Sequence, residues 1–339
     1  MTAPSLPGLD LEALATHLDQ ARPALRTGPL DATHIAGGRS NLTYSVTDGT
    51  SRWVVRRPPL GHVLATAHDM SREHRILSAL HQSAVPVPRP ILLCDEPSVL
   101  GAPFYVMEHV SGIPYRHADE LRALGSERTR TIATRLVDAL VALHSIDYHA
   151  VGLADFGRPD NFLARQINRW KKQLDQSHSR DVEGFDELHT RLMSSVPQQT
   201  DTTIVHGDFR LDNVLVDDQN DNITAVLDWE MATLGDPLTD IALLAVYNEL
   251  PTDSSIVSDT TQAPGFLSPE ELLQRYAIGS GRDMDALDFY LALAHFKLAV
   301  ILEGIHRRYL LGKTVGTGFD SVGELVPSLV NGGLERLAA

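Results

Sequence analysis

The sequence predicts an α+β chain in two lobes, a small β-rich N-terminal lobe over residues 1–110 and a larger, mostly helical C-terminal lobe over residues 111–339. Three observations predict it. Residues 31–57 place runs of Val, Thr, Tyr and Trp on either side of Asp48-Gly49, the pattern of a β-hairpin. From Gly112 onward apolar residues recur at three- and four-residue steps, the spacing of amphipathic helices. Only residues 204–228 break that helical pattern, with VLV and AVLD reading as short strands.

The elements follow in order. Residues 10–22 read as a helix with Leu11, Leu14, Ala15 and Leu18 at helical spacing, closed by Pro23. After the hairpin, residues 68–82 form a second helix with Ile76, Leu77 and Leu80 on one face. ILLCDE at 91–96 and FYVMEHV at 104–110 read as strands, and a hinge is expected near Glu108 to Gly112. In the second lobe, helices are expected at 132–144, 163–174, 185–193 and 288–310. Ser268-Pro269-Glu270-Glu271 starts another, with a serine cap, a proline in the first turn and a glutamate three residues after the cap. Residues 252–265 are polar and rich in Ser, Thr and Pro, so they read as a mobile loop.

Bulk properties narrow the partners. A net charge of −15 argues against nucleic acid or an anionic membrane as the main partner. Cys94 is the only cysteine, so no internal disulfide is possible, as suits a reducing compartment. No uninterrupted apolar run reaches the roughly 18 residues of a membrane span. The N-terminus lacks the basic start and apolar block of a signal peptide. A cytoplasmic protein, with neither membrane nor nucleic acid as a partner, is the expectation.

Chemistry concentrates in one stretch. HGD at 206–208 is followed five residues later by Asn213 and fifteen further on by Asp228. Asp208, on a loop, can take a proton from a substrate hydroxyl. Asn213 and Asp228 offer the hard oxygens that Mg²⁺ prefers. Phosphoryl transfer from a nucleotide uses this trio, because there the protein mainly positions groups and neutralises charge. The plainer alternative is a set of turn-forming residues at hairpin ends.

HGDFRLDN at 206–213, AVLDWE at 225–230 and GDPLTDIA at 235–242 together resemble the aminoglycoside phosphotransferase family, small-molecule relatives of the protein kinases. The resemblance implies a protein-kinase-like fold, ATP and Mg²⁺ as cofactors, Asp208 as catalytic base, and Asn213 and Asp228 as metal ligands. It implies that Asp236 and Asp240 brace the loop bearing the site, although position alone favours helix capping for both. His206 reads as a further brace, and Trp229 as packing beneath the metal-bearing loop.

In the first lobe, GGRSNLTYSV at 37–46 can fold over phosphates, presenting backbone N–H groups around Ser40 and Asn41. The chain holds no GxxxxGK[ST] loop. The resemblance places Arg56 where relatives carry a phosphate-binding lysine, and Glu73 where a glutamate orients it. Arginine departs from that pattern but grips phosphate as a bidentate fork. Arg57 would point to the opposite face of the strand. FYVMEHV resembles an interlobe hinge, with Met107 behind the adenine and the backbone of Glu108 and Val110 bonding it. RRPP at 56–59, RQINRWKKQ at 165–173 and the late helix point to one branch, similar to the kinase domains fused to acyl-CoA dehydrogenases.

The expected function is a Mg²⁺-dependent kinase that moves the ATP γ-phosphoryl to a hydroxyl of a small molecule. Two basic clusters, Arg165, Arg169, Lys171 and Lys172, and His306, Arg307, Arg308 and Lys313, would favour an anionic acceptor such as a hydroxyacid or hydroxyacyl-CoA if either lined the cleft. Long cations on outer helix faces are the plainer reading. A 3′-type aminoglycoside phosphotransferase and a catalytically silent nucleotide-binding module are the alternatives. Neither the acceptor's identity nor the oligomeric state follows from the sequence.

Overall fold

The computed structural model describes residues 6–35, 41–60, 68–199, 201–250, 258–314 and 318–338. Ser40 and the glycine pair before it lie outside the described residues, as do residues 252–257 of the expected loop.

The chain forms two compact units. The first contains Met1–Gly112 and Thr224–Glu230. Its elements are α1 (Leu11–Ala21), β1 (Asp31–His34), β2 (Leu42–Thr47), β3 (Arg52–Arg57), α2 (Met70–Leu80), β4 (Pro90–Cys94), α3 (Pro97–Leu100) and β5 (Phe104–Glu108). The five strands make an antiparallel sheet in the order β1-β2-β3-β5-β4. The β2–β3 turn is tied by Asp48, whose carboxylate accepts the N–H groups of Thr50 and Ser51. Asp10 caps α1, which lays Leu14 and Leu18 on a core of Tyr44, Val46, Trp53, Val55 and Phe104. Asp69 caps α2 through the Arg72 N–H. Ile76, Leu77 and Leu80 bury the apolar face of that helix, and Glu73 is buried with them.

The second unit contains Ile113–Ile223 and Met231–Ala339. Its helices are α4 (Ala118–Leu124), α5 (Ser126–His144), α6 (Phe162–Ser177), α7 (Phe185–Ser194), α8 (Leu238–Glu249), α9 (Pro269–Ser280), α10 (Leu287–Leu310) and α11 (Leu325–Arg336). Short strands β6 (Thr203–Val205), β7 (Val214–Val216) and β9 (Thr233–Gly235) interrupt them, while β8 (Ile223–Val226) belongs to the first unit except for Ile223. β6 pairs antiparallel with β9, so the HGD loop that follows β6 lies next to the residues that lead into β9, and Gly207 faces Met231. Ser268 and Glu271 form the reciprocal capping box expected at the start of α9. Of residues 252–265, the described part contains one 3₁₀ turn, Thr260–Gln262.

One sequence expectation needs correction. By length and composition α10 is apolar enough to cross a membrane, with a mean hydropathy of 1.3 over an 18-residue window. Lys297 and Glu303 interrupt that window, while Asp288, Arg307 and Arg308 fall at the ends of the helix, which leaves the average high. Some 72% of the window is buried within the unit, against helices that include α6, α8 and α11. Core packing therefore accounts for the apolarity.

Candidate active site

In the first unit the chemistry gathers around Arg56 on β3. Its Nη2 donates to Asp228 Oδ1 at 2.6 Å. Its Nε lies 2.9 Å from Glu73 Oε2, close enough for ion pairing but off the line of its own N–H. Glu230 Oε2 stands 4.0 Å from Nη2. Glu73 is 2% exposed and is held by the Tyr105 hydroxyl and by Asn41 Nδ2, each at 3.1 Å. Asn41 Nδ2 also reaches Glu230 Oε2 at 3.3 Å. With that amide nitrogen on two carboxylates, Asn41 Oδ1 must face His68 Nδ1, 2.8 Å away, and this ring nitrogen carries the hydrogen. Asn41 is thus buried and its side chain is spent bracing Glu73.

The electrostatics follow from three carboxylates around one guanidinium. Burial opposes the Arg56 charge, but Tyr105, Glu73, Asp228 and Glu230 outweigh it and raise the guanidinium above its ordinary value. Burial likewise pushes Glu73 up against the pull of Arg56, and Asp228 adds to the rise. Asp228 has a left-handed backbone, φ 64°, which Asp tolerates better than most residues and which is characteristic of functional turns. Trp229 is buried next to it, and its Nε1–H donates to Val226 O at 3.0 Å. Arg57 sits on the other face of β3, hydrogen-bonded to backbone carbonyls.

The residues read as a hinge lie at the end of β5. Met107 is buried and paired in register with Val54. The Glu108 N–H already donates to Arg89 O at 2.9 Å, so a base could meet this residue only through its carbonyl. Val110 is half-buried.

In the second unit the site is built on the loop after β6. Gly207 has φ 85°, and a Cβ there would stand 2.8 Å from Met231 Cβ and 2.9 Å from Met231 O. The N–H groups of His206 and Gly207 both donate to the buried Asp240 carboxylate of α8, at 2.6 and 2.8 Å. His144 Nε2 approaches the same carboxylate at 3.2 Å. Asp240 is therefore a brace, whereas Asp236 stands one residue before the Pro237 cap of α8 and accepts the Leu238 N–H at 3.1 Å and the Tyr290 hydroxyl at 2.7 Å. His206 braces too, its Nδ1 accepting the Asp208 N–H at 3.2 Å.

Asp208 is fixed at both oxygens. Oδ1 accepts the Tyr247 hydroxyl at 3.1 Å, and Oδ2 accepts Asn213 Nδ2 at 3.1 Å. Arg210 Nε stands 3.4 Å from Oδ2, and its guanidinium lies 5.2 Å from the Tyr247 ring centroid. Burial favours the neutral acid, but Arg210, Lys297, His206 and the Tyr247 hydroxyl outweigh it and hold Asp208 below the usual carboxylate range. Arg210, Tyr247 and Lys297 escaped the sequence reading. Only Arg210, two residues after Asp208, carried a local signal.

The two basic clusters are largely committed elsewhere. Lys171 pairs with Asp175 and Asp186, and Arg165 is held by the carbonyls of Arg158 and Asp160. Arg307 donates to Gln176 O, while Arg308 and Lys313 are exposed.

The donor set suits Mg²⁺. Among the described residues no group of three or more His, Cys, Asp or Glu could hold a metal by itself. Magnesium does not need one, since it takes one or two protein oxygens and completes its shell with water and phosphate. Asn213 spends Nδ2 on Asp208, which leaves its Oδ1 as the atom that could face a metal. The excess of carboxylates over cations around Arg56 is the surplus that a divalent ion would neutralise.

Comparison with known proteins identifies the family and the fold. Residues 31–290 match the model of the "Phosphotransferase enzyme family". Mouse acyl-CoA dehydrogenase family member 10 is 34% identical over 324 residues, covering 94% of this chain but 30% of its own length. The chain thus spans less than a third of that relative. A crystal structure of a candidate aminoglycoside phosphotransferase from Ralstonia eutropha JMP134 superposes with a TM-score of 0.84 at 31% identity, covering 97% of this chain and 98% of that one. A thermostable mutant of aminoglycoside phosphotransferase APH(4)-Ia, in ternary complex with AMP-PNP and hygromycin B, shares the fold at a TM-score of 0.63 and 15% identity, covering 96% of this chain and 98% of that one. On these grounds the chain, α+β and protein-kinase-like in fold, belongs to the phosphotransferase enzyme family.

Proposed function

We propose that this chain is a Mg²⁺-dependent small-molecule kinase that transfers the γ-phosphoryl group of ATP to a hydroxyl of its acceptor. The observation that carries the reading is Asp208, a half-buried carboxylate held ionised and aimed by Tyr247 and Asn213. Asp208 accepts the proton of the acceptor hydroxyl as that oxygen bonds to the γ-phosphorus and the bond to the ADP oxygen breaks. Arg56, aligned by Glu73, grips the phosphates as a planar fork. Asn213 and Asp228 would hold Mg²⁺, which supplies charge neutralisation on the phosphates when bound. Ser40 and Asn41 would serve the phosphates through their backbone, and Met107, Glu108 and Val110 would serve the adenine. In this reading residues 1–110 bind nucleotide and residues 111–339 present base and acceptor, with Asp228 belonging to the first unit's cluster.

For the acceptor we favour a hydroxyacid or hydroxyacyl-CoA. Arg210 next to Asp208 supports an anionic substrate, and the acyl-CoA dehydrogenase relatives point the same way. Of the basic clusters, Arg165, Lys171 and Arg307 no longer contribute to that argument, whereas Arg169 does, since it shares the Trp170 ring with Lys297 and its charge acts on that lysine. An aminoglycoside, being polycationic, would want carboxylates around the base.

The test is ADP release with a panel of hydroxyacids, hydroxyacyl-CoAs and aminoglycosides, for wild type, Asp208→Asn and Asp208→Ala. Loss of the base should lower turnover by about 10²–10³-fold while ATP binding persists. Mg²⁺-dependent ATP binding with no turnover on any acceptor, unchanged in Asp208→Ala, would favour the silent module.

A further inference from the structure

The first unit contains a cavity of about 520 Å³ on the face of β3 opposite Arg56. Arg57 lines it together with the apolar side chains of Leu60, Met70 and Leu100. Arg57 is 4% exposed. Its Nη1 donates to Gly8 O at 2.5 Å and to Leu100 O at 2.6 Å, and its Nε to Pro58 O at 3.2 Å. No carboxylate approaches it, and its Nη2 has no partner, among the described residues. Burial pulls this guanidinium below its ordinary value, with only Tyr44 acting the other way. A buried cation satisfied by neutral carbonyls alone keeps its charge uncompensated, and an anion brought by a ligand would compensate it.

We propose that this cavity, which shares His68 with the surroundings of the Arg56 cluster but presents Arg57 rather than Arg56, is a second anion site, taking a small carboxylic acid with an aliphatic tail. The carboxylate sits at Arg57, and the tail lies on Leu60, Met70 and Leu100. A monoanion fits better than a phosphate, because Asp69 and Asp95 also line the cavity and would repel a second negative charge. Both are occupied without reaching Arg57, Asp69 by the Arg72 N–H and Asp95 by the Ser71 hydroxyl.

The experiment titrates the full chain with octanoate by calorimetry and thermal shift, with 1-octanol and inorganic phosphate alongside. Octanoate should bind saturably and raise Tm, with 1-octanol and phosphate weaker by about tenfold or more. Arg57→Gln and Ala102→Phe, the second narrowing the cavity at its wall, should each weaken octanoate by a similar factor. If Arg57→Gln does not fold, Ala102→Phe and the ligand comparison decide. The proposal is overturned by absence of saturable octanoate binding, by equal binding of 1-octanol or phosphate, or by octanoate binding that Ala102→Phe leaves intact. None of these outcomes depends on the kinase reading.

Discussion

Arg56, proposed above to grip phosphate, also neutralises a buried carboxylate, because Glu73 beside it is 2% exposed. Arg56→Met would leave that carboxylate buried without its cation, at a cost of about 3–5 kcal/mol in a chemical denaturation curve. Arg56→Lys keeps the charge and should spare most of that stability while raising the apparent KM for ATP. An Arg56→Met protein as stable as wild type would show that the pair is not coupled in this way. Tyr247→Phe tests the other cluster. It removes a donor to a charged oxygen, so kcat should fall about tenfold with KM little changed. Without that donor the Asp208 pKa rises, so the acidic limb of the pH–rate profile should move to higher pH. Asp208, Asn213 and Asp228 were singled out in the sequence by their spacing, and Arg56 and Glu73 by the family resemblance; the structure brings Asn213 to Asp208, and Glu73 and Asp228 to Arg56. Tyr247 and Lys297 were not, since each meets the HGD loop across a long stretch of chain, and nothing near either residue announces its partner.

At the scale of elements, the HGD loop depends on a glycine and a buried aspartate. Gly207→Ala would place a Cβ against Met231 in a left-handed backbone. The expected loss is about 1–3 kcal/mol, together with a drop in kcat, since Asp208 is the next residue. Matched measurements of Tm and kcat check this, and a variant unchanged in both would contradict it. Helices with one apolar face were readable in advance, as α2 and α6 show, and the capping box foretold the start of α9. α8 was not readable as a helix. Leu238 and residues 240–246 are all buried, so the helix is apolar on every side and the periodic signal vanishes. α4 is only seven residues long, too short for a period to emerge.

For the molecule as a whole, pH reports on buried histidines. Burial holds His144 below its ordinary value despite the pull of Asp240, and it lowers His295 too. Their unfolded values lie near about 6.5. The unfolded chain therefore binds more protons as pH falls past that point, and stability should decline there. Glu73, raised by burial, acts in the opposite sense, so comparison with His144→Gln isolates the histidine. Urea midpoints across mildly acid and neutral pH should fall for wild type and fall less for His144→Gln. Identical profiles would remove His144 from the account.

The return of Thr224–Glu230 to the first unit interleaves the polypeptide. No single cut in the gene yields both halves intact. A fragment ending at Gly112 would keep the Pro86 carbonyl but lack the Val226 N–H that caps it, and keep Arg56 but lack Asp228. Swapping N-terminal segments between relatives would therefore succeed only if residues 224–230 travelled with them.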